Sequence, residues 1–241
     1  MTGKRTKRII AVFGGSKNAD VLALAEEFGR IIAEEKQILL TGGTGPAKDS
    51  VKNSAILGVG SSPWVGIDRK TSVGAEWSKE PERGFLIRSD LDHKRNYLEA
   101  CLCDAAIGLK GDKGTLSEVT CSLSLQRPVA FVGDHWKGVC DLDADRSRAR
   151  NLLVDATLKR FDESRGSNAL DLLLTLEVIR GGLDGLLRYK YFDSRTTAIV
   201  VVGWIKSVLP DAEGFAGHFP SVKGHETVAA PYEEWLTEHA V

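Results

Sequence analysis

The stretch AAIGLKGDKGTLSE, Ala105 to Glu118, joins a short apolar run to a glycine-punctuated loop and then to a segment with helical character. Ala105 to Leu109 suits a strand buried on both faces, because a brief apolar run bounded by turn residues needs no polar face. A helix is expected from Leu116 to about Gln126, followed by a strand from Pro128 to Val132. Upstream the same alternation repeats. Asp90 or Asp92 is placed to cap a helix reaching about Leu102, after a short strand at Phe85 to Ile87. Trp64 to Ile67 reads as another strand, with a polar stretch from Asp68 to Glu82 between these two. Ile38 to Thr41 is a strand ending in Gly42-Gly43-Thr44-Gly45, where Pro46 suits the first position of a helix running through Ala55. The first strand, Arg8 to Phe13, meets Gly14-Gly15. Asn18 or Asp20 then caps a helix to about Glu35, whose apolar positions Val21, Leu24, Ala25, Phe28 and Ile32 keep three-and-four spacing.

Strands separated by helices at this cadence predict an α/β fold: a parallel sheet with helices on both faces, with ligands bound at the carboxyl ends of the strands. The loops at Gly14, Gly42 and Gly111 all leave such ends. Residues 1–137 are read as this α/β domain. From Gly138 the rhythm changes, and residues 138–241 are expected to be a mainly helical C-terminal extension packed on the same domain. In it, Asp141 to Arg165 is charged and partly helical. Ala169 to Ile179 is an apolar helix stopped by Gly181-Gly182, and Thr197 to Val202 reads as a further buried strand. The tail from Pro210 carries no periodic signal before Tyr232 to His239.

Charge excludes one class of function. Lys and Arg number 32 against 33 Asp and Glu, so whole-molecule charge does not drive nucleic-acid binding and no nucleic-acid partner is expected. The longest apolar run, Ala198 to Ile205, is far short of a membrane span. The basic start MTGKRTKR precedes only five apolar residues, too few for a secretory core, so a cytoplasmic protein is expected. Cys101, Cys103, Cys121 and Cys140 are too irregular for a disulfide framework. A zinc site joining them to His135 is disfavoured, because Cys101 and Cys103 point to different faces of a helix. Neither metal nor cofactor is expected.

Two features suggest chemistry. Leu91, Leu98 and Leu102 form a stripe on one helix, and Arg95 falls on that same stripe, where a guanidinium must be paired or line a cavity. The loop Lys110 to Thr115 runs into a helix start, which offers free N–H groups and a positive dipole end to an anion. Thr41 to Gly45 and Gly14-Gly15-Ser16 are two further candidate phosphate cradles, although none of the three matches a dinucleotide or Walker motif. Against these stands a purely local reading of Glu118: Thr115-x-x-Glu118 has the form of a capping box.

Together, His93-x-Arg95, Asp104-Ala105 and Gly111-x-x-Gly114-Thr115-x-x-Glu118 resemble the signature of the LONELY GUY (LOG) family, Rossmann-like nucleotide-binding proteins long called lysine-decarboxylase-like. That family's pattern is an Arg on a helix, a Ser-Asp-Ala strand start and P-G-G-x-G-T-x-x-E. FGGS, ending at Ser16, and TGGTG, ending at Gly45, take its other glycine positions. The likeness spans roughly residues 8–132. It implies a three-layer Rossmann-like fold and a homodimer. It also implies hydrolysis of the N-glycosidic bond of a nucleoside 5′-monophosphate, with Glu118 and Arg95 as catalytic residues. Gly14, Gly15, Ser16, Gly42, Gly43, Thr44, Gly45, Gly111, Gly114 and Thr115 would bind the nucleotide or a related phosphorylated small molecule. The sequence departs from the pattern at two places: Lys110 replaces the Pro and Asp112 the second Gly. The departures point to the alternative, a nucleotide-binding or sensing module that does not hydrolyse its ligand.

Overall fold

The computed structural model describes residues 7–15, 17–43, 49–70, 75–80, 83–91, 94–136, 189–209, 219–220 and 225–240. Its centre is β1 (Ile9–Phe13), every residue of which is buried. Successive side chains of a strand point to opposite faces, so Ile9, Ala11 and Phe13 enter one apolar core while Ile10 and Val12 enter another. A strand buried on both sides therefore needs no alternation in its sequence.

Around it the strands β2 (Ile38–Thr41), β3 (Trp64–Arg69), β4 (Glu76–Glu80), β5 (Gly84–Ser89), β6 (Ala105–Gly108), β7 (Val129–Val132) and β8 (Tyr189–Phe192) form one sheet in the order β4-β5-β3-β2-β1-β6-β7-β8. All neighbours are parallel except the β4–β5 pair. Helices α1 (Ala19–Glu34), α2 (Val51–Val59) and α5 (Ala198–Val208) cover one face. Helices α3 (Arg95–Leu102), α4 (Lys113–Ser124) and α6 (Glu226–His239) cover the other. The result is the expected three-layer Rossmann-like architecture. The chain leaves β1 toward β2 on one side and returns to β6 on the other, so the topological switch point, where such sheets bind ligands, lies between β1 and β6. Among the described residues no helix is long and apolar enough to cross a membrane.

Local sequence accounts for most boundaries. Asn18 caps α1, its side chain accepting from the N–H groups of Asp20 and Val21. Three elements differ from expectation. Thr197 to Val202 is no strand: Thr197 precedes α5, whose buried residues Ala198, Val201, Val202 and Ile205 keep helical spacing while Ile199 and Val200 face outward. A short apolar run fits either element, and here the three-and-four spacing prevails over the β-branched composition. The polar stretch after Asp68 contains β4, held antiparallel to β5, with Trp77 stacked on Phe85 at 5.4 Å. Its charged side chains suit an edge strand. From the C-terminal part, β8 extends the sheet beside β7, Val129 opposite Tyr189 and Val132 opposite Phe192. The expected helices in 141–165 and 169–179 lie outside the described residues.

Two contacts anchor the sheet at opposite ends. His225, buried just before α6, places Nε2 3.0 Å from Ser89 Oγ at the carboxyl end of β5. At the amino end, the buried Asp104 accepts the Ile9 N–H through Oδ2 at 2.7 Å, so this motif residue joins β1 to the entry of β6, remote from the ligand edge. Replacing Asp104 by Ala strands a buried N–H and is expected to lower stability by about 1–3 kcal/mol while leaving ligand binding unchanged. Urea denaturation beside calorimetric titration checks both halves.

Candidate functional site

The carboxyl edge of the sheet brings the three glycine loops together. The Gly15 N–H donates to the Lys110 carbonyl at 3.2 Å, tying the loop after β1 to the loop after β6. A methyl group at Gly14 would meet the Val51 side chain at 2.9 Å and Leu109 Cβ at 3.2 Å, so the start of α2 packs against both. Gly111 admits no side chain, because a Cβ there would lie 2.0 Å from Thr115 Oγ1 and 2.8 Å from the Gly15 nitrogen. Gly43 has φ +81° and its backbone presses on Asp68, with 2.8 Å left for an added Cβ, so glycine is required on both counts.

Gly42 is different. A methyl group there would stand 3.7 Å from Glu99 Oε1 and 3.9 Å from Glu118 Oε1, both ordinary contact distances. Two carboxylates, one from α3 and one from α4, thus converge on a bare stretch of backbone at the end of β2. Arg95, at the first position of α3, points the same way: its Nε is 3.6 Å from Glu99 Oε1, one helical turn on. The guanidinium on the apolar stripe therefore has a carboxyl neighbour, while its Nε makes no hydrogen bond. Lys52, in the first turn of α2, adds a second positive charge felt by both carboxylates.

Burial dominates the proton affinity of this pair. Glu99 is wholly shielded from solvent, and neither of its oxygens accepts a hydrogen bond, while its carboxyl lies near enough to that of Glu118 to interact with it. Desolvation, followed by the Glu118 charge, holds the Glu99 carboxyl well above the usual range against the pull of Arg95. Desolvation also raises Glu118, to about 7, with Arg95 opposing and Asp112 adding to the rise. Two acids at one site with raised proton affinities are a recurring feature of acid–base chemistry.

The start of α4 departs from the sequence expectation. The helix begins at Lys113, and its N-cap is Asp112, whose Oδ1 accepts the Gly114 N–H at 3.1 Å. Thr115 lies inside the helix, buried beneath Gly111, so the Thr115–Glu118 capping box does not form. Glu118 is released from that local duty. The residue that replaces the family's second glycine does the capping instead, and an anion approaching this helix start meets the Asp112 carboxylate. Asn96, also buried, donates from Nδ2 to the Gly114 carbonyl at 3.5 Å and fixes α3 against the same turn.

Of the residues singled out in the sequence, Arg95, Glu118 and Gly42 are drawn together, while Gly14, Gly15 and Gly111 lie in the adjoining loops and Gly114 and Thr115 in the first turn of α4. Gly43 supports the loop from beneath. Ser16, Thr44 and Gly45 lie outside the described residues. Sequence reasoning missed Glu99 and Lys52. Glu99 was legible in principle as the residue four after Arg95, the spacing of a helical ion pair. Lys52 carries no comparable signal. Separately, a cavity of about 530 Å³ opens between α1 and the ends of β6 and β7, bordered by Asn18, Leu24, Lys110 and His135, and does not include the carboxylate pair. Among the described residues, Cys101, Cys103 and Cys121 form no disulfide.

Comparison with known proteins follows this geometry. The model of the SLOG cluster4 family matches residues 7–160. No curated protein matches the chain. Among solved structures, the molybdenum cofactor binding protein from the phototrophic bacterium Rippkaea orientalis is 21% identical, with 85% of this chain and 98% of that one covered at a TM-score of 0.52. The molybdenum cofactor carrier protein from Chlamydomonas reinhardtii is 28% identical over 58% of this chain and 86% of that one, with a TM-score of 0.46. The first of these likenesses shows a common fold.

Proposed function

The chain belongs to the SLOG cluster4 family, within the LOG and lysine-decarboxylase-like superfamily, and from that premise we propose that it hydrolyses the N-glycosidic bond of a nucleoside 5′-monophosphate. The observation that carries this reading is the convergence of Glu118, Glu99 and Arg95 on Gly42, at the carboxyl edge of the sheet beside the switch point. Glycosidic cleavage passes through an oxocarbenium-like state, which a desolvated carboxylate stabilises far better than a solvated one. Glu118, in its ionised form, holds a water molecule against the anomeric carbon. The carbon–nitrogen bond breaks with its electron pair leaving on the base. The water oxygen bonds to the sugar, and the water's proton passes to Glu118 and then to the departing base. The products are free base and ribose 5-phosphate. Arg95 keeps the carboxylate charge affordable in a buried setting. The glycine loops contribute backbone N–H groups near the phosphate, and a homodimer is part of the same reading.

The test is incubation with a panel of nucleoside 5′-monophosphates and free nucleosides, followed by chromatography for released base. Release from the monophosphates establishes the activity; absence of release from every member overturns it.

One observation favours binding without hydrolysis: Asp112 occupies the α4 terminus at which a phosphate would be held. The Rippkaea orientalis protein, which shares the fold, is likewise named for binding a cofactor. Asp112→Gly frees the Gly114 N–H and removes a negative charge, so monophosphate affinity is expected to rise by roughly tenfold, from one charge-assisted hydrogen bond gained and one repulsion lost. Calorimetric titration of both proteins measures it. An unchanged Kd means that phosphate is held elsewhere.

A further inference from the structure

Glu99 is the one member of the carboxylate pair that the family signature does not supply, and its surroundings are unusual. A glutamate wholly shielded from solvent with both oxygens lacking a well-formed hydrogen bond is costly if ionised. The groups that face it are Arg95 on its own helix, Lys52 on α2, and Glu118 and Cys121 on α4, with Asp112 at the α4 cap acting on Glu118. The Arg95 Nε is 3.6 Å away and not hydrogen-bonded, so the ion pair does not repay full desolvation. Glu118 approaches the same side of Gly42, close enough to interact with Glu99, and is the less buried of the two.

We propose that Glu99 is the proton-holding positioning residue of this site: its carboxyl stays protonated at neutral pH and donates to Glu118, leaving the negative charge on Glu118 and aiming that carboxylate at Gly42. Two carboxyl groups at one site share charge unequally, and the more buried one keeps the proton. The arrangement gives the buried Glu99 oxygens a use, and it gives Glu118 a fixed donor that lowers its proton affinity against the desolvation that raises it. Glu99 needs no contact with substrate for this. The catalytic consequence rests on the hydrolase reading above, whereas the protonation pattern stands without it.

Carboxyl-carbon NMR of protein carrying 13C-labelled glutamate, titrated from pH 4 to pH 9, tests the pattern directly. Glu99→Gln and Glu118→Gln assign the two signals, and thermal unfolding confirms that each variant is folded. In the unmodified protein the Glu99 signal is expected to remain that of the acid to higher pH than the Glu118 signal. Glu99→Gln, which retains an N–H donor, is expected to leave the Glu118 midpoint near its original value. Glu99→Leu, which has none, is expected to raise it by about one pH unit, the size of one lost hydrogen bond to a carboxylate. A Glu99 carboxyl that ionises before Glu118, or a Glu118 midpoint that Glu99→Leu leaves in place or lowers, overturns the proposal. If Glu99→Leu does not fold, the order of ionisation in the unmodified protein decides alone. Where base is released, the acid limb of kcat/KM moves with the Glu118 midpoint. A moving midpoint in a protein that releases no base upholds the positioning role and rejects the hydrolase.

Discussion

Glu118→Gln is expected to reduce the release of base by about 10²- to 10⁴-fold, the range for removing a positioned acid–base group. The amide keeps the size and one oxygen of the carboxylate but neither takes a proton from water nor offsets the positive charge of an oxocarbenium-like state. Under the proposed reading, in which the glycine loops and not this side chain hold the phosphate, affinity for the monophosphate should fall little. Chromatography for the base and calorimetry for binding therefore separate: activity disappears while Kd stays within a few-fold. Parallel loss of both would place Glu118 in ground-state binding. The structure removes the older ambiguity about this residue. Had Thr115 and Glu118 formed a capping box, the same substitution would have cost stability through the helix start. Asp112 is the cap, so loss of activity is not attributable to an unwound α4.

The central part of the fold was legible because its signals are local. β1, β2, β6 and β7 are short apolar runs that end at or run into glycines, β3 begins as another apolar run, and the helices between them keep their spacing. What escaped notice lacks an apolar run or depends on partners distant in sequence. β4 is polar and forms because β5 offers an unpaired edge. β8 follows a long interval and joins the sheet through β7. The α5 run is apolar enough for a buried strand, and only its placement over the sheet selects the helix. The site divides in the same manner. Arg95 announced itself as a charge on an apolar stripe, and Glu118 through its motif. Asp112 is legible as a departure from the family pattern but not as a cap, because the sequence places the helix start at Leu116 and the helix begins at Lys113. Glu99 was passed over because a glutamate on a helix is ordinarily solvated; its burial arises where α3 meets α4 and the end of β2.

The carboxylate pair also makes the protein's stability depend on pH in an uncommon direction. Carboxylates paired with cations usually bind protons more weakly in the folded chain, so that stability is lost on acidification. Here the sign is reversed. Glu118 has an ordinary value of 4.5 and is raised to about 7 by burial, so between those values the folded chain holds a proton that the unfolded chain has released. Stability contributed by this group is complete below 4.5 and declines as the pH rises through about 7. The gap corresponds to a loss of about 3 kcal/mol at 1.36 kcal/mol for each pH unit. Glu99 is raised in the same sense and adds to the decline. Urea denaturation at intervals from pH 5 to pH 8 should show the unmodified protein weakening across that window. In Glu118→Gln the Glu118 part of the slope should vanish, leaving a variant that is inactive yet more stable than its parent at pH 8. Coincident curves for the two proteins would mean that Glu118 is solvated in the folded state, and a general base with a proton affinity matched to neutral pH would then have no support. The cost borne at pH 8 is the physical counterpart of the site itself. Two desolvated carboxyl groups beside a guanidinium cost stability, and that cost is what the proposed reaction, which needs a poised carboxylate, would entail.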